Sequence, residues 1–313
     1  MTSFAQVTDV RTALREGLAQ LREAQVPSYT LAAELLLLHV LGRDRTWIYS
    51  HPEEEIAASD IERYFALIHR RAAGEPTQHL TGKQEFWGME FEVTQDVLIP
   101  RPETEHVVEV ALDRLAAREV RAGRLQTLSG EGLRIADVGT GSGCIAIALA
   151  KELPSARFVA TDVSHGALEV ARRNAERHGV ANRVHFVVAN FLEKCGRWGV
   201  VSEEQDLLEQ LSLDMIVCNP PYVGRREATT LMREVREHEP EIALYGGEEG
   251  CELYPELIAQ SASHLKPGGF LVLELGHDSL PVVQPLLDKS TWTNVSVTND
   301  LAGIPRVLSA ERR

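Results

Sequence analysis

The 313-residue sequence lacks any run of about 18 or more apolar residues, the length that a membrane-spanning helix requires. Its densest apolar stretch, Leu31–Leu41, is interrupted by Glu34 and His39, and this pattern predicts a buried helix. The N-terminus carries no basic cluster followed by an apolar core, so no export signal is visible. We therefore expect a cytoplasmic protein that makes no contact with a membrane.

Cysteine is scarce, and the four that occur are far apart in the sequence. They are Cys144, Cys195, Cys218 and Cys251. No two of them have the spacing of a zinc knuckle or of a redox-active pair. No cluster of histidine, cysteine and aspartate has metal-ligand spacing either. We expect reduced, structural thiols and no bound metal.

Positive charge is in deficit, because 32 Lys and Arg residues stand against 46 Asp and Glu residues. The resulting net charge of −14 repels a phosphate backbone overall, although a local basic patch could still bind one. This balance counts against a dedicated nucleic-acid enzyme without excluding one. The hydrophobic fraction of 44% is that of an ordinary soluble globular protein.

The chain changes character along its length, which predicts two domains joined by a linker. Helical spacing of apolar residues over Val7–Ala24, a start signal at Pro27-Ser28 and a further stretch at Ile61–Ala73 predict a helical bundle for residues 1–75. Alternating apolar residues in Phe86–Val93 predict a β-hairpin within a linker, residues 76–100.

Strand–helix alternation follows over residues 101–313, which begin with a predicted helix at Thr104–Arg118. This alternation predicts an α/β domain with a doubly wound, mostly parallel sheet. The predicted strands are Leu133–Val138, Arg157–Thr161, His185–Val188, Met215–Cys218 and Phe270–Glu274, with Asn294–Thr298 and Val307–Ala310 as an antiparallel pair at one edge. The polar stretch Cys195–Leu213 is interpreted as a surface insertion.

A glycine-rich loop, Asp-Val-Gly-Thr-Gly-Ser-Gly over Asp137–Gly143, follows the first strand and opens a helix. Its glycines allow the backbone to approach a ligand closely. Cys144 stands where the dinucleotide fingerprint needs glycine, and no Gly-Lys-Ser/Thr follows, so a P-loop is excluded. Asp162, which ends the second strand, is placed to accept hydrogen bonds from a ribose diol or to cap the next helix. Loop and acid together fit a nucleoside-containing cofactor, either a nicotinamide or S-adenosylmethionine.

The tetrapeptide Asn219-Pro220-Pro221-Tyr222 at the end of the fourth strand decides between these cofactors. The side-chain oxygen of Asn219 and a carbonyl of the Pro-Pro backbone can accept both hydrogens of an NH₂ group. The prolines stiffen the loop, and Tyr222 offers a flat face for stacking. Hydride transfer has no use for such a loop. The pattern predicts methyl transfer to the nitrogen of a planar amide or base, with Asn219, Pro220 and Tyr222 catalytic and all four residues in contact with the substrate.

These motifs resemble those of class I methyltransferases, and the chain as a whole resembles the release-factor glutamine N5-methyltransferases. The resemblance extends to Gly74–Gly82, Glu85–Gly88, Ile99–Glu105, Glu239–Leu244 and Asp300–Arg306. It implies a Rossmann-like methyltransferase domain preceded by a helical domain that recognises the substrate protein. It also implies S-adenosyl-L-methionine as the methyl donor and peptide chain release factors as the substrate, modified at the glutamine of their Gly-Gly-Gln motif.

The resemblance assigns the individual binding residues as well. Asp162 would hold the ribose, while Asn190 and Phe191 would flank the adenine. Related enzymes often carry an acid at the position of Asn190, whose amide oxygen accepts a hydrogen bond without a full charge. The segment Pro100–Thr104 is expected to close over the cofactor and the substrate entry. The remaining cofactor contacts implied are Gly139, Thr140, Gly141, Ser142, Gly143 and Asn219.

Three alternatives stay open at this stage. An N-methyltransferase of the same fold could act on a ribosomal-protein glutamine or on a nucleic-acid amino group, because each presents a planar NH₂. A nicotinamide oxidoreductase is disfavoured by the missing glycine at Cys144. A non-catalytic adaptor is disfavoured because both motifs are intact. We expect no direct nucleic-acid substrate.

Overall fold

The computed structural model describes residues 8–121, 123, 128–194 and 212–313. The chain divides into two compact units. The N-terminal unit extends to Lys83 and includes Leu231–His238, and the C-terminal unit comprises Gln84–Thr230 and Glu239–Arg313. The predicted linker, residues 76–100, is thus shared between the two. Residues 195–211 of the predicted insertion Cys195–Leu213 lie outside the described residues.

The N-terminal unit is helical, as its apolar spacing predicts. Helix α1 begins after Asp9, whose carboxylate accepts a hydrogen bond from the backbone N of Thr12 at 2.7 Å and so caps the first turn. Leu36, Leu37 and Tyr64 lie in the core between α1, α2 and α4. The helices are α1 (Val10–Glu23), α2 (Tyr29–Leu41), α3 (Arg45–Ser50), α4 (Ala58–Ala72), α5 (Thr77–Thr81) and α9 (Arg233–His238), with strands β1 (Thr8–Asp9) and β2 (Glu55–Ile56) paired antiparallel.

Two details of this unit differ from the sequence expectation. Helix α2 is buried on one side only, since Leu31 and Leu35 are exposed. Helix α9 comes from the second half of the sequence, yet it groups with this unit. Its Glu234 pairs with Arg71, of which only 4% is exposed, so a buried ion pair helps to fix α9 here.

The C-terminal unit begins with the predicted hairpin, formed by β3 (Lys83–Phe86) and β4 (Met89–Glu92). Its turn residues Trp87 and Gly88 have φ angles of 54° and 67°, the left-handed pair that a tight two-residue hairpin requires. The hairpin prediction is confirmed, although pairing starts three residues earlier than expected.

An eight-stranded sheet forms the centre of this unit, in the order β11-β12-β10-β9-β5-β6-β7-β8. Strands β10, β9, β5, β6 and β7 run parallel, while β12 is antiparallel to both β10 and β11. The predicted fold class and edge pair are confirmed. The strands are β5 (Arg134–Val138), β6 (Arg157–Asp162), β7 (Val184–Asn190), β8 (Glu193–Lys194), β9 (Leu213–Cys218), β10 (Leu265–Glu274), β11 (Trp292–Asn299) and β12 (Pro305–Arg312).

The topology of this sheet fixes where a ligand can bind. Every residue of β9 is buried, as expected of a central parallel strand covered on both faces. The chain leaves β5 toward β6 on one side, whereas β9 lies on the other, so the loops after β5 and β9 diverge and leave a crevice. The main helices are α6 (Glu105–Arg121), α7 (Cys144–Glu152), α8 (His165–Arg177), α10 (Glu241–Leu244), α11 (Tyr254–His264) and α12 (Leu280–Val283). Within the described ranges, no helix has the length and apolar character needed to cross a bilayer.

Candidate active site

A cavity of about 540 Å³ opens at the carboxyl edge of the sheet in the C-terminal unit. This volume lies in the range typical of small-molecule sites. Among the predicted site residues, those that line it are Gly139, Thr140, Gly141, Ser142, Asp162, Asn190, Phe191, Asn219 and Pro221. Gly143, Pro220 and Tyr222 are not among the lining residues of the described chain. The structure therefore brings most of the predicted residues to one cavity, while their roles stay predictions.

The glycine-rich loop after β5 presents its backbone to this cavity. Gly139 and Gly141 adopt left-handed φ angles of 70° and 54°, and a Cβ at either position would meet no atom within 4 Å. A side chain there would instead project into space that a ligand could use. Gly143 has a different role, because a Cβ would lie 3.0 Å from Ile147 Cδ1 and crowd the packing of α7.

Asp137 holds the shape of this loop from inside the sheet, a role that the sequence analysis missed. Its Oδ2 accepts hydrogen bonds from Thr140 Oγ1 at 2.7 Å and from the backbone N of Ala146 at 3.0 Å. The side chain is fully buried, and this burial raises the pKa of Asp137 to about 6. One carboxyl thus ties the glycine loop to the first turn of α7.

Asp162 is also tied to the glycine loop. Its Oδ2 accepts from the backbone N of Gly141 at 3.0 Å, and its Oδ1 accepts from the backbone N of Ser164 at 2.9 Å. The N-cap of α8 is Ser164, whose hydroxyl accepts from the backbone N of Ala167, so Asp162 is not the cap of this helix. Burial raises the pKa of Asp162, while the backbone N–H groups around it lower the pKa. Each carboxylate oxygen keeps a lone pair with which it can accept from a ligand hydroxyl.

Asn190 and Phe191 close the far side of the cavity at the end of β7. Asn190 is exposed at its edge. Phe191 adopts a left-handed φ of 53°, and its carbonyl accepts a hydrogen bond from Thr161 Oγ1 at 2.7 Å. This turn directs an aromatic ring and an amide to one wall, as a flat heterocyclic ligand would need.

Asn219 stands where β9 ends and is half-buried at the cavity wall. Its Nδ2 donates a hydrogen bond to Thr104 Oγ1 at 3.0 Å. Because Nδ2 is engaged in this way, Oδ1 is the side-chain atom left to accept a hydrogen bond from a ligand. Thr104, a residue of the segment Pro100–Thr104, thereby becomes part of the site, and Pro100 and Arg101 of the same segment line the cavity as well.

Tyr222, the last residue of the tetrapeptide, is half-buried. Its hydroxyl donates to Oε1 of Glu274 at 3.2 Å. Burial and the carboxylate of Glu274 both raise the pKa of Tyr222, so the phenol stays neutral at physiological pH. The predicted stacking role of the ring stays a prediction.

The glycine-rich stretch Gly246–Gly250, which follows α10, packs against the backbone of the tetrapeptide. The backbone N of Val223 donates to the carbonyl of Leu244, and the backbone N of Gly246 donates to the carbonyl of Val223, both at 3.0 Å. A Cβ on Gly246 would come closer than 3.0 Å to the carbonyl oxygens of Pro221 and Gly250. The backbones can approach this closely only because residue 246 has no side chain.

The buried carboxylate of Glu239 holds the start of the segment Pro100–Thr104 in place. Glu239 accepts from the backbone N of Ile99 at 3.1 Å and from Arg101 Nη2 at 2.5 Å. The cavity rim also includes Arg225, whose guanidinium lies 4.7 Å from the ring centre of Tyr245, and Ile242, which is 61% exposed. Sequence patterns gave no role to these rim residues, because each is brought to the cavity by tertiary packing. In the described residues, no three His, Cys, Asp or Glu side chains are arranged to hold a metal ion.

Comparison with known proteins identifies the family. Residues 12–82 match the PrmC N-terminal domain, and residues 122–248 match the methyltransferase small domain. A protein of Koribacter versatilis named release factor glutamine methyltransferase is 42% identical over 96% of this chain and 97% of its own length. This chain belongs to the release factor glutamine methyltransferase family. The family resemblance seen in the sequence is therefore confirmed.

A second relative has the same name, and a solved structure shares the fold. A protein of the same name from Chlorobaculum tepidum is 40% identical over 97% of each chain. Among solved structures, the catalytic domain of hMettl16 aligns with a TM-score of 0.53 and 18% identity, over 78% of this chain and 81% of that one. At that identity the likeness concerns the fold alone, and it supports the class I methyltransferase architecture.

Proposed function

We propose that this family member transfers the methyl group of S-adenosyl-L-methionine to the side-chain nitrogen of a glutamine in peptide chain release factors, at their Gly-Gly-Gln motif. The observation that carries the proposal is the placement of Asn219. Its amide oxygen is left free to accept a hydrogen bond at the wall of a cavity that also contains the glycine loop and Asp162. A nucleoside site and an acceptor for an NH₂ group thus share one cavity.

The residues of the cavity fit S-adenosylmethionine. Gly139 and Gly141 leave space in front of the loop, and Asp162 can accept from the two hydroxyls of a ribose. Phe191 and Asn190 offer an apolar face and an amide to a purine. When bound, S-adenosylmethionine supplies a methyl group made electrophilic by the positive charge on its sulfur.

The chain itself must overcome the poor nucleophilicity of an amide, whose nitrogen lone pair is delocalised into the carbonyl. Oδ1 of Asn219 and a carbonyl of Pro220-Pro221 would accept the two N–H hydrogens of the glutamine. These hydrogen bonds orient the nitrogen for in-line transfer and stabilise the positive charge that develops on it. The proton then leaves to water, so the site needs no strong base.

Substrate choice is tested by offering the purified protein tritium-labelled S-adenosylmethionine together with each of four acceptors. They are a release factor, a release factor with Gln replaced by Asn in its Gly-Gly-Gln motif, total ribosomal protein, and RNA. The proposal predicts label in the unaltered release factor alone. Label that enters ribosomal protein or RNA but neither release factor would retain methyl transfer and overturn the proposed substrate. The Asn219→Ala variant, prepared identically, is the enzyme control.

A further inference from the structure

Glu274 is a buried carboxyl in contact with Tyr222 of the tetrapeptide, and the mechanism above has no use for it. It ends β10, and only 1% of its surface is exposed. Its Oε1 accepts from the hydroxyl of Tyr222, whereas its Oε2 is buried without a hydrogen-bond partner of good geometry in the described residues. Burial raises the pKa of this carboxyl, while the hydroxyls of Thr104 and Tyr222 lower the pKa by favouring its ionised form.

We propose that Glu274 is a positioning residue for methyl transfer. Its ionised carboxylate attracts the hydroxyl protons of Tyr222 and Thr104, and through Thr104 it fixes the amide of Asn219 with the oxygen toward the cavity. This inference rests on the function proposed above. It adds Glu274 to the site as a residue that acts without touching the substrate.

Each hydrogen bond between these side chains has a defined direction. Thr104 Oγ1 accepts from Nδ2 of Asn219, so the single hydroxyl proton of Thr104 must point elsewhere. The carboxylate of Glu274, with its unpartnered Oε2, is the acceptor available to that proton. An ionised Glu274 can only accept, so it imposes one direction on the whole chain from carboxylate to amide.

Protonation of Glu274 would remove that direction. A carboxylic acid can donate to Thr104 Oγ1, and the hydroxyl proton of Thr104 is then free to point at Asn219. The amide of Asn219 would be as well satisfied after a flip that exchanges its oxygen and nitrogen. In the flipped state Nδ2 would face the NH₂ group of the substrate, and two donors would meet.

The groups around Glu274 set the pH at which its carboxyl ionises. Burial raises the pKa of Glu274 to about 7, against the lowering effects of Thr104, Tyr222 and Arg306, and Glu103 raises it further. The charge of Glu274 also acts on Cys144, Cys218, Tyr222 and Tyr254, and the charge of Asp137 acts on the same two cysteines. The cysteines and tyrosines have raised pKa values and stay neutral near pH 7, while Asp137, with a pKa of about 6, is distinguished from Glu274 by mutation.

The first test compares the pH profiles of the wild type and the isosteric variant Glu274→Gln. The wild-type kcat is expected to rise with pH through about 7 and then level off. The variant is expected to show a kcat roughly tenfold lower, no such rise, and KM values close to those of the wild type, because misorientation affects the transfer step. Equal kcat and an unchanged pH profile in the variant would overturn the inference.

Two further variants separate positioning from damage to the fold. Thr104→Val breaks the same link, so the double variant with Glu274→Gln should be little slower than either single variant. Fully additive losses would contradict a shared link. Asp214→Asn is the matched control: Asp214 is 8% exposed and pairs with Lys266 at the opposite end of the sheet. Its loss should lower the melting temperature and leave the pH profile of turnover unchanged.

A readout without turnover makes the two proposals separable. The side-chain amide of Asn219, assigned in ¹⁵N–¹H spectra by its absence from Asn219→Ala, should shift with a midpoint near pH 7 in the wild type and not in Glu274→Gln. An amide that titrates identically in both proteins would refute the positioning role. If the amide titrates as expected but no release factor is methylated, the proposed function fails while the positioning inference stands.

Discussion

Gly246 offers a stringent test of how the tetrapeptide Asn219–Tyr222 is held in place. Its φ lies outside the left-handed region, so alanine would strain the backbone little in itself. The added methyl would nevertheless come closer than 3.0 Å to the carbonyl oxygens of Pro221 and Gly250, and ordinary contact begins at 3.4 Å. Both clashing atoms are backbone, so neither can rotate away as a side chain would. The Gly246→Ala variant must therefore push Pro221, and the tetrapeptide with it, out of position.

The size of the effect follows from that displacement. A shift of roughly 0.5 Å or more is needed to relieve the clash, and a misplacement of about 1 Å can slow catalysis about 100-fold. We expect kcat for glutamine methylation to fall roughly 10- to 100-fold, with the Kd for S-adenosylmethionine changed little. Steady-state turnover and isothermal titration calorimetry measure the two quantities on the same preparation.

Gly268→Ala is the matched control, since a methyl there meets only Glu311 Oε1 at 4.0 Å. Its left-handed φ of 79° makes alanine cost about 1 kcal/mol or more in stability, at the far end of β10 from the site. The control should melt at a lower temperature and turn over normally. A Gly246→Ala protein that methylates at the wild-type rate would refute the close packing described behind the loop.

Further predictions concern single side chains. Asn219→Ala should lower kcat on the order of 10²–10³-fold by removing one acceptor, which initial rates will show; a rate near that of the wild type would refute the mechanism. Asp162→Asn should weaken binding of S-adenosylmethionine roughly tenfold by calorimetry, since a charged acceptor becomes neutral; unchanged affinity would place the ribose elsewhere. Arg71→Met should cost about 3 kcal/mol in urea unfolding by stranding Glu234 of the buried pair; a loss below about 1 kcal/mol would show that the pair contributes little. Glu274 has a folded-state pKa raised from 4.5 to about 7, so its stabilising contribution is present below about pH 4 and disappears as the pH rises through 7. As the pH rises from 4 to 8, the free energy of unfolding of Glu274→Gln should therefore increase relative to that of the wild type by up to about 3 kcal/mol. A difference that does not depend on pH would contradict the raised pKa.

Much of the fold was predictable from local patterns. The apolar runs of β5, β6, β7, β9 and β10 are bounded by polar residues and separated by helical spacing, so their order implied a parallel sheet. Because the carboxyl ends of parallel strands meet at one edge, the motifs after β5 and β9 could be placed in one crevice. The short helices α3 and α5 were not predicted, since each has too few residues to show a helical period.

The supporting residues of the site could not be predicted in this way. Glu274 is one polar residue in the apolar run that forms β10, and nothing local connects it with Thr104 or Tyr222, far away in the sequence. Glu239 is a comparable case, a carboxylate whose partners Ile99 and Arg101 lie far away in the sequence. The partners of Asp137 are close in the sequence, but only the folded chain shows that its carboxyl is buried and accepts from them. Local patterns locate the groups that face a ligand, whereas the groups that hold them in place become visible only in the folded chain.

In the proposed reaction the methyl group reaches the side-chain nitrogen of one glutamine, which Asn219 orients. Mass spectrometry with peptide fragmentation, applied to a release factor incubated with the enzyme and S-adenosylmethionine, tests it most directly. We expect one added methyl on the glutamine of the Gly-Gly-Gln motif with the wild type, and almost none with Asn219→Ala in the same time. A methyl on any other residue, or equal modification of this glutamine by both proteins, would contradict it.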